Sequence, residues 1–183
     1  MSEELVIQHC SPTLAGLKTG SLFTCPCPSE EEARQDVRRL NRILVPKGLS
    51  VLLMRCRKGR ALIYVYRPDW LRRDLAREEV CALLERMGYT CLSPDRCLVE
   101  LTRRLRREAD FPHEIGLFLG YPPEDVQGFI EHEGKGYKCL GCWKVYGDPE
   151  QAQKCFDLYQ RCTESYCRQW SRGASIGGLT VAV

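Results

Sequence analysis

Apolar and polar residues alternate along this chain in patterns that predict helices and strands in an irregular order. A turn-rich segment at residues 12–20 leads into the apolar run SLFTC, which predicts a strand that ends at the CPCP sequence of residues 25–28. Ser29 and the three glutamates after it are typical of a helix start, because a hydroxyl caps free N–H groups and carboxylates favour the positive end of the helix dipole. This helix carries one apolar face and should end near Pro46 and Gly48.

The next two apolar runs, LSVLLMRC and RALIYVYR, predict a β-hairpin. Both are rich in β-branched residues, leucine or tyrosine, and the RKG sequence between them provides Gly59 for a positive φ. Beyond the hairpin, apolar positions from Leu71 to Leu84 predict one helix, capped by Asp69 and ended by Gly88.

A further helix starts near SPD at residues 93–95 and places Leu98, Leu101 and Leu105 on one stripe. Its arginines fall mostly off that stripe, so we expect them on the solvated side of the helix. They are Arg103, Arg104, Arg106 and Arg107.

The stretch FPHEIGLFLGYPPEDVQGFI, residues 111–130, predicts two short helices joined by a rigid Tyr-Pro-Pro corner. Asp110 can cap the first helix and Pro112 fits its first turn, where a missing N–H costs nothing. The same apolar spacing of three and four residues recurs in both helices, which end at Gly120 and Gly134.

The last part of the chain predicts a strand, a helix and a short tail. YKCLGCWKVY alternates as a strand would, and Asp148 with Pro149 opens a helix that runs to the region of Cys167. Residues 171–183 are either a flexible tail or an edge strand. Because strands and helices do not alternate regularly, we expect a single α+β domain over residues 1–183, with helices packed on one face of a small, mainly antiparallel sheet.

Composition narrows the class of protein only slightly. Hydrophobic residues make up 44% of the chain, charged residues 28%, and the net charge is +3, which is too small for a strong nucleic-acid footprint. The N-terminus is acidic and no apolar run reaches the ~18 residues needed to span a bilayer, so we expect a cytoplasmic protein without a membrane partner. Twelve cysteines are unusual, and in a reducing cytosol we expect thiols, metal ligands or redox groups rather than structural disulfides.

Two long motifs, PHEIGLFLGYPPEDVQGFI and WKVYGD, together with GLKTGSLF and the tyrosine-bearing hairpin, are shared with a known family. The chain resembles the uncharacterised bacterial domain-of-unknown-function family number 3793 over nearly its whole length. That resemblance carries no assigned activity and leaves the cofactor open, but it implies anaerobic bacteria and a link to flavodoxin-like electron carriers. It also implies a tyrosine where this chain has Cys142, so a Cys139–Cys142 pair would not be chemistry shared by the family.

His113 and Glu114 are the first candidate site. In the first turn of a helix the macrodipole favours a neutral imidazole and an ionised carboxylate, so the pair could supply one nitrogen and one oxygen ligand, or an acid–base group. Adjacent helical side chains diverge by about 100°, which favours the alternative that both residues serve only the helix start.

Cys139 and Cys142 have the spacing of a zinc knuckle or a redox thiol pair. In an extended strand, residues three apart point to opposite faces, so joint metal binding requires a turn at Leu140-Gly141. Five of the other cysteines fall within apolar patterns that are typical of core packing, namely Cys56, Cys81, Cys97, Cys155 and Cys162.

Aromatic residues provide a further candidate, a pocket for a planar ligand, with Tyr121, Trp143 and Tyr146 as ligand-binding candidates. The aromatic residues that could line it are Tyr64, Tyr66, Tyr121, Tyr137, Trp143 and Tyr146, and such residues are equally common in protein cores. The arginine clusters could instead bind nucleic acid, but interleaved acidic residues argue against it. The sequence therefore favours a cytosolic accessory or ligand-binding protein linked to anaerobic redox or cofactor metabolism, with a flavodoxin-like electron carrier or a small molecule as partner. The alternatives are an enzyme that uses His113, Glu114 or a thiol, and a nucleic-acid-binding module.

Overall fold

The computed structural model describes residues 1–90, 93–107 and 111–182 and contains helices, one three-stranded sheet and one short hairpin. In chain order, helices α1 to α9 are Glu3–Leu14, Glu30–Leu44, Pro68–Leu75, Glu78–Arg86, Pro94–Arg107, Ile115–Phe118, Pro123–Glu131, Pro149–Ser171 and Ile176–Leu179. Strands β1 to β5 are Gly20–Pro26, Ser50–Arg57, Arg60–Tyr66, Cys139–Leu140 and Lys144–Val145. None of the helices in these ranges is both long enough and apolar enough to cross a membrane.

The chain divides into two compact units. Unit 1 combines residues 1–69 with the segment that begins at Tyr159, and unit 2 comprises Trp70–Leu158. Unit 2 is therefore continuous in sequence, whereas unit 1 is built from two separate segments.

The sheet of unit 1 has the strand order β1-β3-β2, and both of its pairings are antiparallel. The predicted hairpin is confirmed as β2 and β3. Its turn consists of Lys58 and Gly59, with φ of 51° and 72°, the positive values that two-residue hairpin turns need. The register places Ala61 of the central strand opposite both Cys25 and Cys56.

One face of this sheet packs against helices α1, α2 and α9 to form the core of unit 1, which confirms the α+β fold with helices against a small antiparallel sheet. Helix α2 begins after Ser29, whose hydroxyl accepts the N–H of Glu32, and ends before Gly48 at φ 80°, as its sequence predicted. The buried aliphatic and thiol side chains of this core include Val6, Ile7, Cys10, Leu14, Val37, Leu40, Leu44, Val51, Ile63, Val65, Ile176 and Leu179.

A buried arginine joins the two segments of unit 1. Arg67 is 1% exposed, and its guanidinium donates hydrogen bonds to the backbone carbonyls of Thr13 (2.9 Å), Leu14 (2.9 Å) and Val181 (2.8 Å). Burial lowers the pKa of Arg67. The first two carbonyls belong to the end of α1, where helix carbonyls lack partners within the helix, so the side chain caps that end.

The structure corrects two helix predictions. Residues 12–14, predicted as part of a turn-rich segment, lie in α1, which the Ser2 hydroxyl caps and two glutamates favour at its first turn. The single helix predicted from Asp69 to Gly88 is two helices, α3 and α4. The helical backbone is interrupted at Arg77, which has an extended conformation with φ −66° and ψ 136°.

Another prediction was wrong in unit 2, where YKCLGCWKVY is not one strand. It folds into the β4–β5 hairpin, closed by the N–H of Gly141 donating to the carbonyl of Trp143 at 3.1 Å. Glycine is required at the turn, since a Cβ there would lie 2.2 Å from the Phe156 ring.

The final helix prediction is confirmed. The Asp148 carboxylate accepts the N–H groups of Glu150 and Gln151 at 2.9 and 3.1 Å, and α8 continues to Ser171. After it, the segment for which an edge strand was one alternative contains the short helix α9. The predicted cap at Asp110 lies outside the described residues.

Candidate functional site

Unit 2 contains a cavity of about 270 Å³ between the corner of α6 and α7 and the β4–β5 hairpin. Its walls are mainly aromatic and aliphatic, with a few polar side chains. The lining residues are His113, Ile115, Gly116, Tyr121, Asp125, Val126, Phe129, Leu140, Gly141, Cys142, Trp143 and Lys144.

The α6–α7 corner is tight enough to form one wall of this cavity. A Cβ on Gly116 would lie 2.7 Å from Cγ2 of Val126, so glycine lets the two short helices approach each other. Tyr121 follows the end of α6, and its N–H donates to the Gly116 carbonyl at 3.0 Å. The rigid corner predicted from the Tyr-Pro-Pro sequence is thus present, and it fixes where the Tyr121 ring stands.

Two aromatic rings of the cavity lining stack on each other. The Tyr121 and Trp143 ring centroids are 4.7 Å apart with an interplanar angle of 28°, and Trp143 meets Phe156 edge-on at 4.6 Å. The Tyr121 hydroxyl donates to the Cys142 carbonyl at 3.3 Å, which ties the corner to the hairpin. Burial raises the pKa of Tyr121 to about 12, so the phenol stays protonated and can donate at neutral pH.

Asp125 holds the hairpin side of the cavity in place. It is 3% exposed, and one carboxylate oxygen accepts the Trp143 indole N–H at 2.7 Å. The other oxygen accepts the backbone N–H groups of Tyr146 and Gly147, each at 2.7 Å. One buried carboxylate in the first turn of α7 therefore fixes the orientation of Trp143. Its place in the first turn of α7 is where an acidic residue is expected from the helix dipole alone, so the sequence does not reveal this role.

His113 and Lys144 supply the basic groups of the lining. The His113 ring is tilted by 58° against Phe129 at a centroid distance of 4.8 Å. Lys144 donates to the Gly134 carbonyl at 2.7 Å, and its ammonium lies 5.0 Å from the Tyr137 ring centroid and 5.5 Å from that of Phe129. Both side chains are thus held against aromatic rings at the edge of the cavity.

Glu114 lies outside the cavity lining, in a buried polar cluster. It is 2% exposed and accepts hydrogen bonds from the Tyr89 hydroxyl at 2.9 Å and from Arg104 at 3.1 Å. Burial and the Glu114 carboxylate raise the pKa of Tyr89, which keeps its hydroxyl a donor. His113 and Glu114, which both precede the first residue of α6, therefore face different surroundings.

Arg104 completes this polar cluster, and the prediction that it lies on the solvated side was wrong. Its side chain is 15% exposed, and its guanidinium lies 4.2 Å from the Tyr89 ring centroid. It also donates to the Met87 carbonyl at 2.8 Å and to Glu100 at 2.9 Å. The apolar face of α5 is wide enough to include this arginine stem, since long side chains cover apolar surface with their methylenes.

The remaining candidate residues, Cys139, Cys142 and Tyr146, lie in different surroundings on and beside the β4–β5 hairpin. Cys142 is exposed at the cavity, whereas Cys139 is partly buried against the Val145 and Phe156 cluster. Tyr146 lies outside the cavity lining, and its ring stacks on that of His132 with a centroid distance of 5.7 Å. The Tyr146 hydroxyl is buried and has no hydrogen-bond partner among the described residues. Within residues 1–90, 93–107 and 111–182, no group of three or more His, Cys, Asp or Glu side chains could hold a metal ion.

Arginines from two of the clusters pair with carboxylates. Arg103 donates to both oxygens of Glu100, at 2.7 and 2.5 Å, and Arg73 donates to Asp74 at 3.1 Å. Such paired charges are typical of an ordinary protein surface and give nucleic-acid binding no support.

The fold and the cavity together define an α+β protein whose candidate ligand site is lined by aromatic side chains. The chain belongs to the family described as "Protein of unknown function (DUF3793)", whose model matches residues 6–180. This match confirms the family that the two long motifs had indicated. The comparison with curated proteins and the comparison with solved structures each gave no match.

Proposed function

We propose that this protein is a non-catalytic cytosolic binding protein that holds a small planar molecule in the cavity of unit 2. The observation that carries the proposal is the stacked pair of Tyr121 and Trp143 on the cavity wall, 4.7 Å apart. Offset stacking of this kind continues readily onto a third flat ring, and binding cavities typically combine apolar walls with a few polar groups.

The size of the cavity indicates what part of a ligand it can enclose. At about 270 Å³ it lies just below the range of about 300–1,000 Å³ that is typical of small-molecule pockets. We therefore expect it to enclose a fused ring system and leave any longer substituent in solvent. Asp125 uses its oxygens on Trp143 and on two backbone N–H groups, so it orients the wall rather than the ligand.

The wider role that we propose is accessory, in anaerobic redox or cofactor metabolism, with a flavodoxin-like electron carrier as a protein partner. What supports it is the association that the family resemblance implies, together with a cavity that has two stacked aromatic rings in its wall. A flavin, which is a fused planar ring with a long polar substituent, is accordingly the first ligand to test.

The test begins with protein purified without oxygen, whose absorption spectrum and metal content are measured before any ligand is added. Flavin mononucleotide is then titrated, and binding is followed by quenching of its fluorescence. We expect either a co-purified chromophore or saturable one-to-one binding, lost in Trp143→Leu and retained in the matched control Trp70→Leu, which lies outside the cavity lining. A colourless protein that binds no flavin, or equal binding by both variants, would overturn the proposal.

A second candidate is an enzyme, favoured by one observation: His113 and Cys142 line the same cavity. An imidazole can serve as the base for a nearby thiol nucleophile. If this function holds, ligand bound in the cavity should be chemically altered. Cys142→Ser and His113→Ala should then abolish the alteration while binding persists. Recovery of unchanged ligand from the wild-type protein would exclude this candidate for that ligand.

A further inference from the structure

Unit 1 contains a pair of cysteine thiols that the cavity of unit 2 does not use. Cys27 directly follows β1, Cys56 lies in β2, and their Sγ atoms are 3.4 Å apart. Because β1 and β2 both pair with β3 and not with each other, the two thiols meet across the central strand. The sequence separation of 29 residues gives no hint of this approach.

The strand register places Cys56 and the end of β1 at the same end of the sheet. Ala61 of β3 is fully buried and lies opposite Cys56 of β2 on one side and Cys25 of β1 on the other. Cys27 follows Cys25 by two residues and therefore lies beyond the last pair of the β1–β3 register, at the end of the sheet where the β2–β3 turn stands.

Backbone contacts hold Cys27 in position. Its N–H donates to the Gly59 carbonyl at 2.8 Å, which extends the β1–β3 pairing by one residue. Its thiol lies 2.7 Å from the Ser29 carbonyl, as a donor. The Cys27 sulfur is therefore held close to Cys56 by groups of the strand end and the helix start, before any bond forms between the sulfurs.

The two thiols differ in access to solvent. Cys27 is 5% exposed, whereas Cys56 is partly exposed. A small disulfide in solvent therefore reaches Cys56 first, and Cys27 is placed to attack the mixed disulfide that forms on Cys56. An accessible attacking thiol beside a second, resolving thiol is an arrangement that favours thiol–disulfide exchange.

We propose that Cys27 and Cys56 form a dithiol site that reduces small-molecule disulfides by thiol–disulfide exchange. The Cys56 thiolate attacks one sulfur of the small disulfide, which forms a mixed disulfide and releases the first small thiol. Cys27 then loses its proton to solvent and attacks the Cys56 sulfur, which releases the second small thiol and leaves a Cys27–Cys56 disulfide. Two protein sulfurs are oxidised and one small disulfide is reduced to two thiols, so atoms and electrons balance.

The surroundings also set the speed of this exchange. The neighbouring Cys27 thiol, followed by burial, raises the pKa of Cys56. Because only the thiolate attacks, a small fraction of Cys56 is reactive at neutral pH and the exchange is slow. The site is independent of the ligand proposed for unit 2.

Peptide mapping of the full-length protein tests the proposal. Fully reduced protein is incubated with oxidised glutathione, quenched with acid, treated with an alkylating agent and digested with trypsin. We expect the peptide of residues 19–34 to be joined to the Cys56-Arg57 peptide, with a mass two hydrogens below the sum of the reduced peptides plus one alkyl group on Cys25. Fragmentation should place the bond on Cys27 and not on Cys25.

Two matched variants from the same strand region sharpen this test. In Cys27→Ser the cross-link should be lost and glutathione should remain on Cys56, whereas Cys25→Ser should keep the cross-link, because it is the Cys27 sulfur that lies 3.4 Å from the Cys56 sulfur. Wild-type protein that keeps glutathione on Cys56, or a cross-link through Cys25, would overturn the pairing. Modification confined to the exposed Cys142 would overturn the site as a whole; these wild-type readouts do not depend on either variant folding.

Discussion

Replacing Asp125 by asparagine should both destabilise unit 2 and release Trp143 from the cavity wall. The carboxylate accepts three hydrogen bonds at 2.7 Å from a position that is 3% exposed. An asparagine offers one acceptor oxygen in place of two and puts an NH₂ group in place of the other. If the amide oxygen keeps the two backbone N–H groups, its NH₂ faces the indole N–H, and two donors then oppose each other.

The size of the effect follows from these contacts. A hydrogen bond to a charged group contributes about 1.5–3 kcal/mol, and a buried donor left without an acceptor costs about 1–3 kcal/mol. The two figures describe the same Trp143 N–H and are not added, so we expect Asp125→Asn to lower the free energy of unfolding by about 1.5–3 kcal/mol. That is a large part of the 5–15 kcal/mol that is typical of a domain.

Urea unfolding followed by circular dichroism measures this change. The matched control is Glu124→Gln, which removes the same charge from the same first turn of α7 but at an exposed side chain. The control loses only its interaction with the helix dipole, about 0.3–1 kcal/mol. If the two variants unfold within about 0.5 kcal/mol of each other, the reasoning from the three hydrogen bonds is refuted.

Three further changes test other contacts, each by urea unfolding. Tyr89→Phe removes the hydroxyl that donates to buried Glu114 at 2.9 Å and should cost about 1–3 kcal/mol; an unchanged midpoint would contradict the burial of that carboxylate. Arg67→Met leaves three backbone carbonyls without their donor and should cost about 3–5 kcal/mol, and a loss below about 1 kcal/mol would contradict it. Hydrogen bonds from Arg103 and Arg104 lower the pKa of Glu100 to about 2 from 4.5. The stability that the ionised Glu100 contributes is therefore complete above pH 4.5 and is lost as the pH falls toward 2. Glu100→Gln should therefore lose less stability than the wild type across that interval, and equal losses would count against the ion pair.

The parts of the fold that the sequence predicted correctly depend on nearby residues. Ser29 caps the helix that follows it, Lys58 and Gly59 turn the hairpin, and Asp148 caps the last long helix within three residues of itself. In each case the signal and the structure lie within one turn of chain. The division between α3 and α4 at Arg77 had no such signal, because the apolar spacing continues across it and neither glycine nor proline stands at the break.

The candidate site was predicted only in part, since its key contacts join residues far apart in sequence. The aromatic side chains were identified by type, and Tyr121 and Trp143 do meet at the cavity. Asp125 was missed because an acidic residue in a first helical turn is already explained by the helix dipole. Nothing in the residues around Glu114 indicates that it is buried with Tyr89, 25 residues away.

Because unit 1 is built from two segments that are far apart in sequence, it cannot be completed until the end of the chain has been synthesised. Arg67 is synthesised 114 residues before Val181, the last of its three carbonyl acceptors. At about 5–20 residues per second, a ribosome needs roughly 6–23 s to cover that interval. During this time unit 2, being continuous, can be completed, while the guanidinium of Arg67 still lacks one acceptor. Unit 1 is thus the later of the two to finish folding, and the nascent chain presents its unfinished core to chaperones for that period.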